Sequence, residues 1–202
     1  MNNPIRIETT HPAITVTHPA LWLRNAGIVL AGSAFVAVCA HVALPLYFTP
    51  VPLTLQPFAV LLLGLLLRPK LAAATLGAYL VEGAAGLPVF APGVAGSAGI
   101  AHLFGPTAGY LLAYPLAVWL IATLWGGSSL AGRGRSFGRA LASAAAGNLT
   151  ILIIGALWLG LFTHAAAGVV LAQAVVPFLP GDALKVAAAA ALAFGWQRLR
   201  AN

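Results

Sequence analysis

Charge is what this chain lacks, and that scarcity limits its fold more than any other feature. Of 202 residues, ten are Lys or Arg and three are Asp or Glu, 6% in all. An ordinary soluble domain carries roughly 25%. So few charges cannot cover a water-facing surface, and 61% of the residues are hydrophobic, so hydrocarbon must solvate much of the exterior. In that solvent every backbone amide must be paired within the protein, which leaves helices or a closed barrel. Barrel strands alternate apolar and polar residues. The apolar runs here, as at residues 58–67 and 111–124, are continuous and rich in Leu, Ala and Val. An all-α integral membrane protein is therefore expected.

A crossing needs about 20 apolar residues. Six stretches qualify or approach this: residues 22–44, 52–67, 71–85, 106–125, 139–161 and 182–197. Pro45, the Arg68-Pro69-Lys70 turn, Gly86 with Pro88, and a Gly/Ser/Arg loop at 126–138 separate them. A shorter apolar piece at 165–176 runs into Pro177-Phe-Leu-Pro-Gly181. Residues 1–21 are polar, lack the apolar centre of a cleavable signal and are expected to form a disordered cytoplasmic tail. Residues 22–202 then form one transmembrane domain.

The formal charge of +7 does not describe a nucleic-acid binder, because the basic residues form small groups between apolar spans rather than one polar face. With six spans and both termini in the cytoplasm, Arg6, Arg24, Arg68, Lys70, Arg133, Arg135, Arg139, Arg198 and Arg200 fall inside. The outer loops at 45–51, 86–105 and 162–181 contain no Lys or Arg. That is the positive-inside pattern.

Glu82, Asp182 and Lys185 stand apart from those groups and lie towards the outer ends of spans three and six. An ionisable group at membrane depth should face a cavity or a partner. Asp182 and Lys185, three apart, share a helix face. Asp182 can simply cap its helix with Lys185 as ion-pair partner, or the pair can line an outward-facing ligand site; the two are compatible. The uncharged, Gly-rich stretch 86–105 suits a lid over a small ligand, or a re-entrant packing segment. His41, His102 and His164 are scattered, so no metal site is expected. Cys39, the single cysteine, sits in an apolar run as a small buried residue. There is no P-loop, GxSxG or HExxH, so the chain carries no ATPase motif and no enzyme or cofactor is expected. Ala26, Ser33, Ala37 and Ala40 make a small-residue stripe on the first span, suited to close approach of another helix, from a partner or from the same subunit.

Four segments together resemble a known family. They are Val51-Pro-Leu-Thr-Leu-Gln56; Tyr79 followed by Ala85-Gly-Leu-Pro-Val-Phe-Ala91; Phe104-Gly-Pro-Thr-Ala-Gly-Tyr110; and Pro177-Phe-Leu-Pro-Gly-Asp-Ala-Leu-Lys185. Their order and spacing resemble the BioY family, the biotin-specific S components of energy-coupling factor (ECF) transporters, over residues 22–200. The resemblance implies a six-helix S-component fold in the bacterial cytoplasmic membrane that captures biotin from outside. It also implies a membrane coupling subunit and a pair of ATPases as partners, docked on the small-residue stripe, or self-association in a solitary member. A ligand-binding role carries over to Asp182 and Lys185, with Asp182 on the ureido N–H groups. Gln56 and Tyr79 match motif positions as hydrogen-bond donors, and Phe90 and Tyr110 as aromatic walls or lid contacts.

Two departures stand out. Glu82 occupies a position where the family pattern implies an apolar or small residue. The segment from Phe90 to Phe104 lacks an Arg expected in some relatives, leaving His102 as its sole source of positive charge. Alternative readings are an S component for another vitamin, an intramembrane lipid-modifying enzyme, or a scaffold without a ligand.

Overall fold

Proline and glycine decide where the apolar runs become separate elements. The computed structural model describes residues 19–92, 99–126 and 136–201. The first helix, α1 (Pro19–His41), starts before the expected boundary and ends before it. Its last expected residues instead form a strand, β1 (Ala43–Leu44), antiparallel to β2 (Leu53–Thr54), with Ala43 opposite Thr54 and Leu44 opposite Leu53. Pro45 accounts for the change, since the residue before a proline is driven from helical to extended backbone. Of the expected tail, residues 1–18 with Arg6 lie outside the described residues, and residues 19–21 are helical.

The second helix, α2 (Gln56–Leu66), begins with Pro57 in its first turn and has 11 residues. It stops at the extended pair Leu67 and Arg68, after which Pro69 opens α3 (Pro69–Ala84). A turn led by Gly86, at φ +96°, follows, then a 3-10 helix at Gly99–Phe104. Residues 93–98 of the expected lid stretch lie outside the described residues. The fourth helix, α4 (Ala108–Trp125), continues through Pro115 and ends on Gly126 in the left-handed region. Then comes α5 (Phe137–Thr163), capped by the Ser136 side chain, which accepts from the Arg139 amide. The loop arginines Arg133 and Arg135 lie outside the described residues. The short α6 (Ala167–Ala174) is bent by 48° from α7 (Leu179–Ala201).

Three described helices are long and apolar enough to cross a membrane alone, within α1, α4 and α5, and the bent α6–α7 pair makes a fourth. Six crossings are not reached by that measure, because α2 and α3 have only 11 and 16 residues and the chain breaks before α7. The exterior is apolar: Leu161 of α5 is 73% exposed and Leu199 of α7 76%. A water-facing fold rarely leaves so many large apolar side chains uncovered.

Inside, α4 packs along α3 and α5, and α2 lies against α7 and α4. Leu61, Leu65, Ile121, Trp125, Ala140 and Ala189 form a sealed apolar plug from these helices. The Arg139 guanidinium donates to the Leu124 carbonyl at 3.1 and 2.9 Å, fixing the turn from α4 to α5 at this end. The remaining core surrounds a cavity on the other side of the plug.

Part of the stripe on α1 packs within the chain. Ser33 and Ala40 are buried, Ala26 and Ala37 half-buried. The neighbouring Gly32 lies so close to α3 that a Cβ there would sit 2.6 Å from the Thr75 methyl. Ser33 Oγ lies 2.9 Å from Glu82 Oε1 and 3.0 Å from the Leu30 carbonyl, so its proton serves these acceptors inside the chain. The inner part of the stripe is therefore used by α3. Among the described residues, the small ones that α1 leaves exposed are Ala20, Gly27, Ala31 and Ala34.

Candidate functional site

The cavity holds about 550 Å³ of empty space, counted out through its open mouth into solvent. Val51, Pro52 and Pro57 from the β2–α2 segment, Leu111 from α4, Ile151 and Leu152 from α5, and Phe178 make its walls apolar. Against them stand a few polar groups: Gln56, His102, Thr107, Tyr110, Tyr114, Asp182 and Lys185. A polar cluster in an apolar box suits a ligand with a compact hydrogen-bonding head and an apolar body.

The head site is the first turn of α7. The turn at residues 175–178 breaks the chain from the α6 direction, and Pro180 sits in the first turn of the new helix, which puts Asp182 in the N-terminal turn where the helix dipole favours an anion. Lys185 Nζ donates to Asp182 Oδ1 at 3.0 Å. The two residues are only 4% and 8% exposed, so the pair is withdrawn from bulk solvent yet lines the cavity. Asn148 from α5 donates from Nδ2 to Asp182 Oδ2 at 3.1 Å. A carboxylate offers about four lone-pair sites. Two are occupied here, leaving acceptor capacity for N–H donors of a ligand.

The other expected residues fall into two groups. Gln56, His102 and Tyr110 line the cavity with Asp182 and Lys185. Tyr79 and Phe90 stand behind it. The Tyr79 hydroxyl accepts from Gln56 Nε2 at 2.7 Å and donates to the Val89 carbonyl at 2.9 Å, so α2, α3 and the turn after α3 form one relay. The Phe90 ring meets Tyr79 edge-on at 5.5 Å and lies over His102 at 4.9 Å. It occupies the space that a side chain at Gly83 would need, where a Cβ would fall 2.1 Å from the ring. Phe90 thus shapes the wall by positioning His102. Tyr110 has both roles, since its ring lines the cavity and its hydroxyl donates to the Ala174 carbonyl at the end of α6, 2.7 Å away.

Two features escaped the sequence reading. The first is the β1–β2 hairpin, which lines the cavity with Val51, Pro52 and Thr54 and whose Thr49 hydroxyl donates to the Gln173 carbonyl of α6 at 2.9 Å. The second is Asn148, the amide on Asp182. Its signal was a lone carboxamide in an otherwise apolar run, weighed less than the formal charges. Tyr114 was also legible, one helical turn beyond Tyr110 on the same face.

Comparisons with known proteins point to one family. The chain is 42% identical over 153 residues to the probable biotin transporter BioY of Pyrococcus horikoshii, covering 76% of this chain and 83% of the relative. It is 35% identical over 167 residues to the biotin transporter BioY of Thermotoga maritima, covering 83% and 92%. Its fold is similar to the crystal structure of the S-component for biotin from an ECF-type ABC transporter. That match has a TM-score of 0.77 and 24% identity over 92% of this chain and 95% of that one. The fold is therefore the S-component fold. Residues 9–202 match the BioY family, and the chain belongs to that family.

Proposed function

We propose that this chain binds biotin from outside and serves its uptake across the bacterial cytoplasmic membrane, as the substrate-specific subunit of an ECF-type transporter. The observation that carries this reading is the buried Asp182–Lys185 pair at the head of an otherwise apolar cavity. Biotin has a ureido ring with two N–H donors and one carbonyl, and an apolar thiophane ring and valeryl chain. The ureido N–H groups meet the free lone pairs of Asp182, and the ureido carbonyl accepts from Lys185 or Gln56. Tyr110 and Phe178 flank the apolar body. Lys185 is already paired with Asp182, so His102 is the remaining lining group able to carry positive charge towards the valeryl carboxylate. The names of the relatives support biotin as the ligand.

Residues 22–202 act in this reading as one bilayer-embedded domain with six crossings and both termini cytoplasmic. The short α2 is compatible with a crossing. Its 11 residues rise about 16 Å and the two-residue strand before it adds about 7 Å, so it crosses where neighbours thin a hydrocarbon core of about 30 Å. The extended piece avoids unpaired backbone by pairing with β1. A coupling subunit with its ATPase pair docks on the small exposed residues Gly27, Ala31 and Ala34 of α1, and a second copy takes that place in a solitary system.

Equilibrium binding of labelled biotin to the protein in lipid nanodiscs tests the proposal, with thiamine and riboflavin as competitors. Saturable binding displaced only by biotin, and lost in Asp182→Asn and Lys185→Ala, is expected. Binding displaced by another vitamin would reassign the ligand. Binding that survives both substitutions would move the site.

A further inference from the structure

The side-chain hydroxyls of α5 are spent on their own helix. The hydroxyls of Ser143, Thr150 and Thr163 each donate to the carbonyl four residues earlier. Asn148 does something else. Its amide reaches across to α7 and donates to Asp182 Oδ2, while its own Oδ1 is buried without a hydrogen-bond partner. The residue is 7% exposed. Leaving a buried acceptor unsatisfied is unfavourable. The charge-assisted bond to the carboxylate, roughly twice as strong as a neutral one, holds the amide in this orientation.

Lys185 cannot do the same work. It lies on the same helix as Asp182 and engages one carboxylate oxygen, so by itself it leaves the carboxylate plane free to turn about that contact. Asn148 takes the other oxygen from a different helix. Two donors from two helices fix the plane. We infer that Asn148 is a positioning residue for ligand recognition, holding the Asp182 carboxylate oriented so that its remaining lone pairs receive the N–H groups of the ligand. This rests on the reading that biotin, or another ligand with paired N–H donors, binds at Asp182.

The test is Asn148→Asp, a nearly isosteric change from donor to acceptor. Two carboxyl groups in contact share one proton. In acid, the introduced carboxyl is neutral and donates to Asp182 as the amide did; in base, both are charged and repel. Other titratable groups on the same cavity are Asp182 and Lys185 from α7, Tyr110 and Tyr114 from α4, and His102 from the 3-10 helix. Each variant affinity is therefore divided by that of the unmodified protein at the same pH. Biotin binding in nanodiscs within about threefold of the unmodified protein near pH 5, and at least about tenfold weaker near pH 8, is the expected result. A ratio that stays flat with pH, while Asp182→Asn abolishes binding, would overturn the role of Asn148 alone. Intact binding in Asp182→Asn would remove the ligand from this site and the inference with it. If Asn148→Asp does not fold, Asn148→Ala carries the test. It should bind about tenfold more weakly at every pH while keeping a cooperative melt, and unchanged affinity would refute the inference.

Discussion

Adding a single methyl group at Gly155 should close part of the cavity from behind. A Cβ built there falls 2.3 Å from Tyr110 Cε1 and 2.4 Å from Cδ1, whereas ordinary contacts begin near 3.4 Å. The ring must retreat by roughly 1 Å. It cannot do so freely, because its hydroxyl is held at 2.7 Å by the Ala174 carbonyl. Overpacking of this kind costs about 1–3 kcal/mol, and straining the buried hydrogen bond adds about 1. The better helix propensity of Ala returns up to about 1 kcal/mol, so the net loss is about 1–3 kcal/mol. Because the displaced ring lines the cavity, Gly155→Ala should weaken biotin binding by about tenfold, equivalent to about 1.4 kcal/mol, as well as lower the melting temperature. Binding and thermal melts in nanodiscs measure both, and Tyr110→Ala supplies the control. With the ring gone the methyl has room, so Gly155→Ala should cost nothing further in that background. An equal cost with and without the Tyr110 ring would refute the steric reasoning.

Other perturbations probe other contacts. Lys185→Ala leaves Asp182 buried with only Asn148 as partner and should destabilise the ligand-free protein by about 3–5 kcal/mol. The double change Asp182→Asn with Lys185→Met should recover most of that in a melt, while still failing to bind biotin. Tyr79→Phe breaks the relay from Gln56 to Val89 at both ends and should cost about 2 kcal/mol, read by the same melt. Thr49→Val removes the link between the hairpin and α6; by stopped-flow displacement, biotin should leave several-fold faster at an unchanged melting temperature. At the α1–α3 contact, Glu82→Gln keeps an acceptor for Ser33 and should shift stability by less than about 0.5 kcal/mol, whereas Ser33→Ala should cost about 1.

What the sequence disclosed follows from how rare each signal is in an apolar chain. Asp182 and Lys185 were legible because a charge at membrane depth has few innocent explanations, and the structure places both on the cavity. Asn148 is as deeply buried and touches the same carboxylate. It carries no formal charge, however, and an amide among apolar residues raises a much weaker flag. The helices were legible to within a few residues. The two strands were not, since two residues cannot show an alternating period, and only Pro45, Pro50 and Pro52 hinted at non-helical backbone. Which way the small residues of α1 face was not legible for a similar reason. In a helix where small residues recur on every side, spacing alone does not distinguish Ser33 against α3 from Ala34 on the exterior.

The Asp182–Lys185 pair has one more consequence. Its opposite charges are 3.0 Å apart on one helix, so to a distant observer it is a dipole without net charge. A membrane potential does work of about 2.3 kcal/mol on each elementary charge moved through 100 mV. On this pair the work nearly cancels, so displacement of the empty site along the membrane normal is almost blind to voltage. A bound ligand with one carboxylate restores a net charge to the site. The empty and loaded protein then respond differently to the electric field of the same cell.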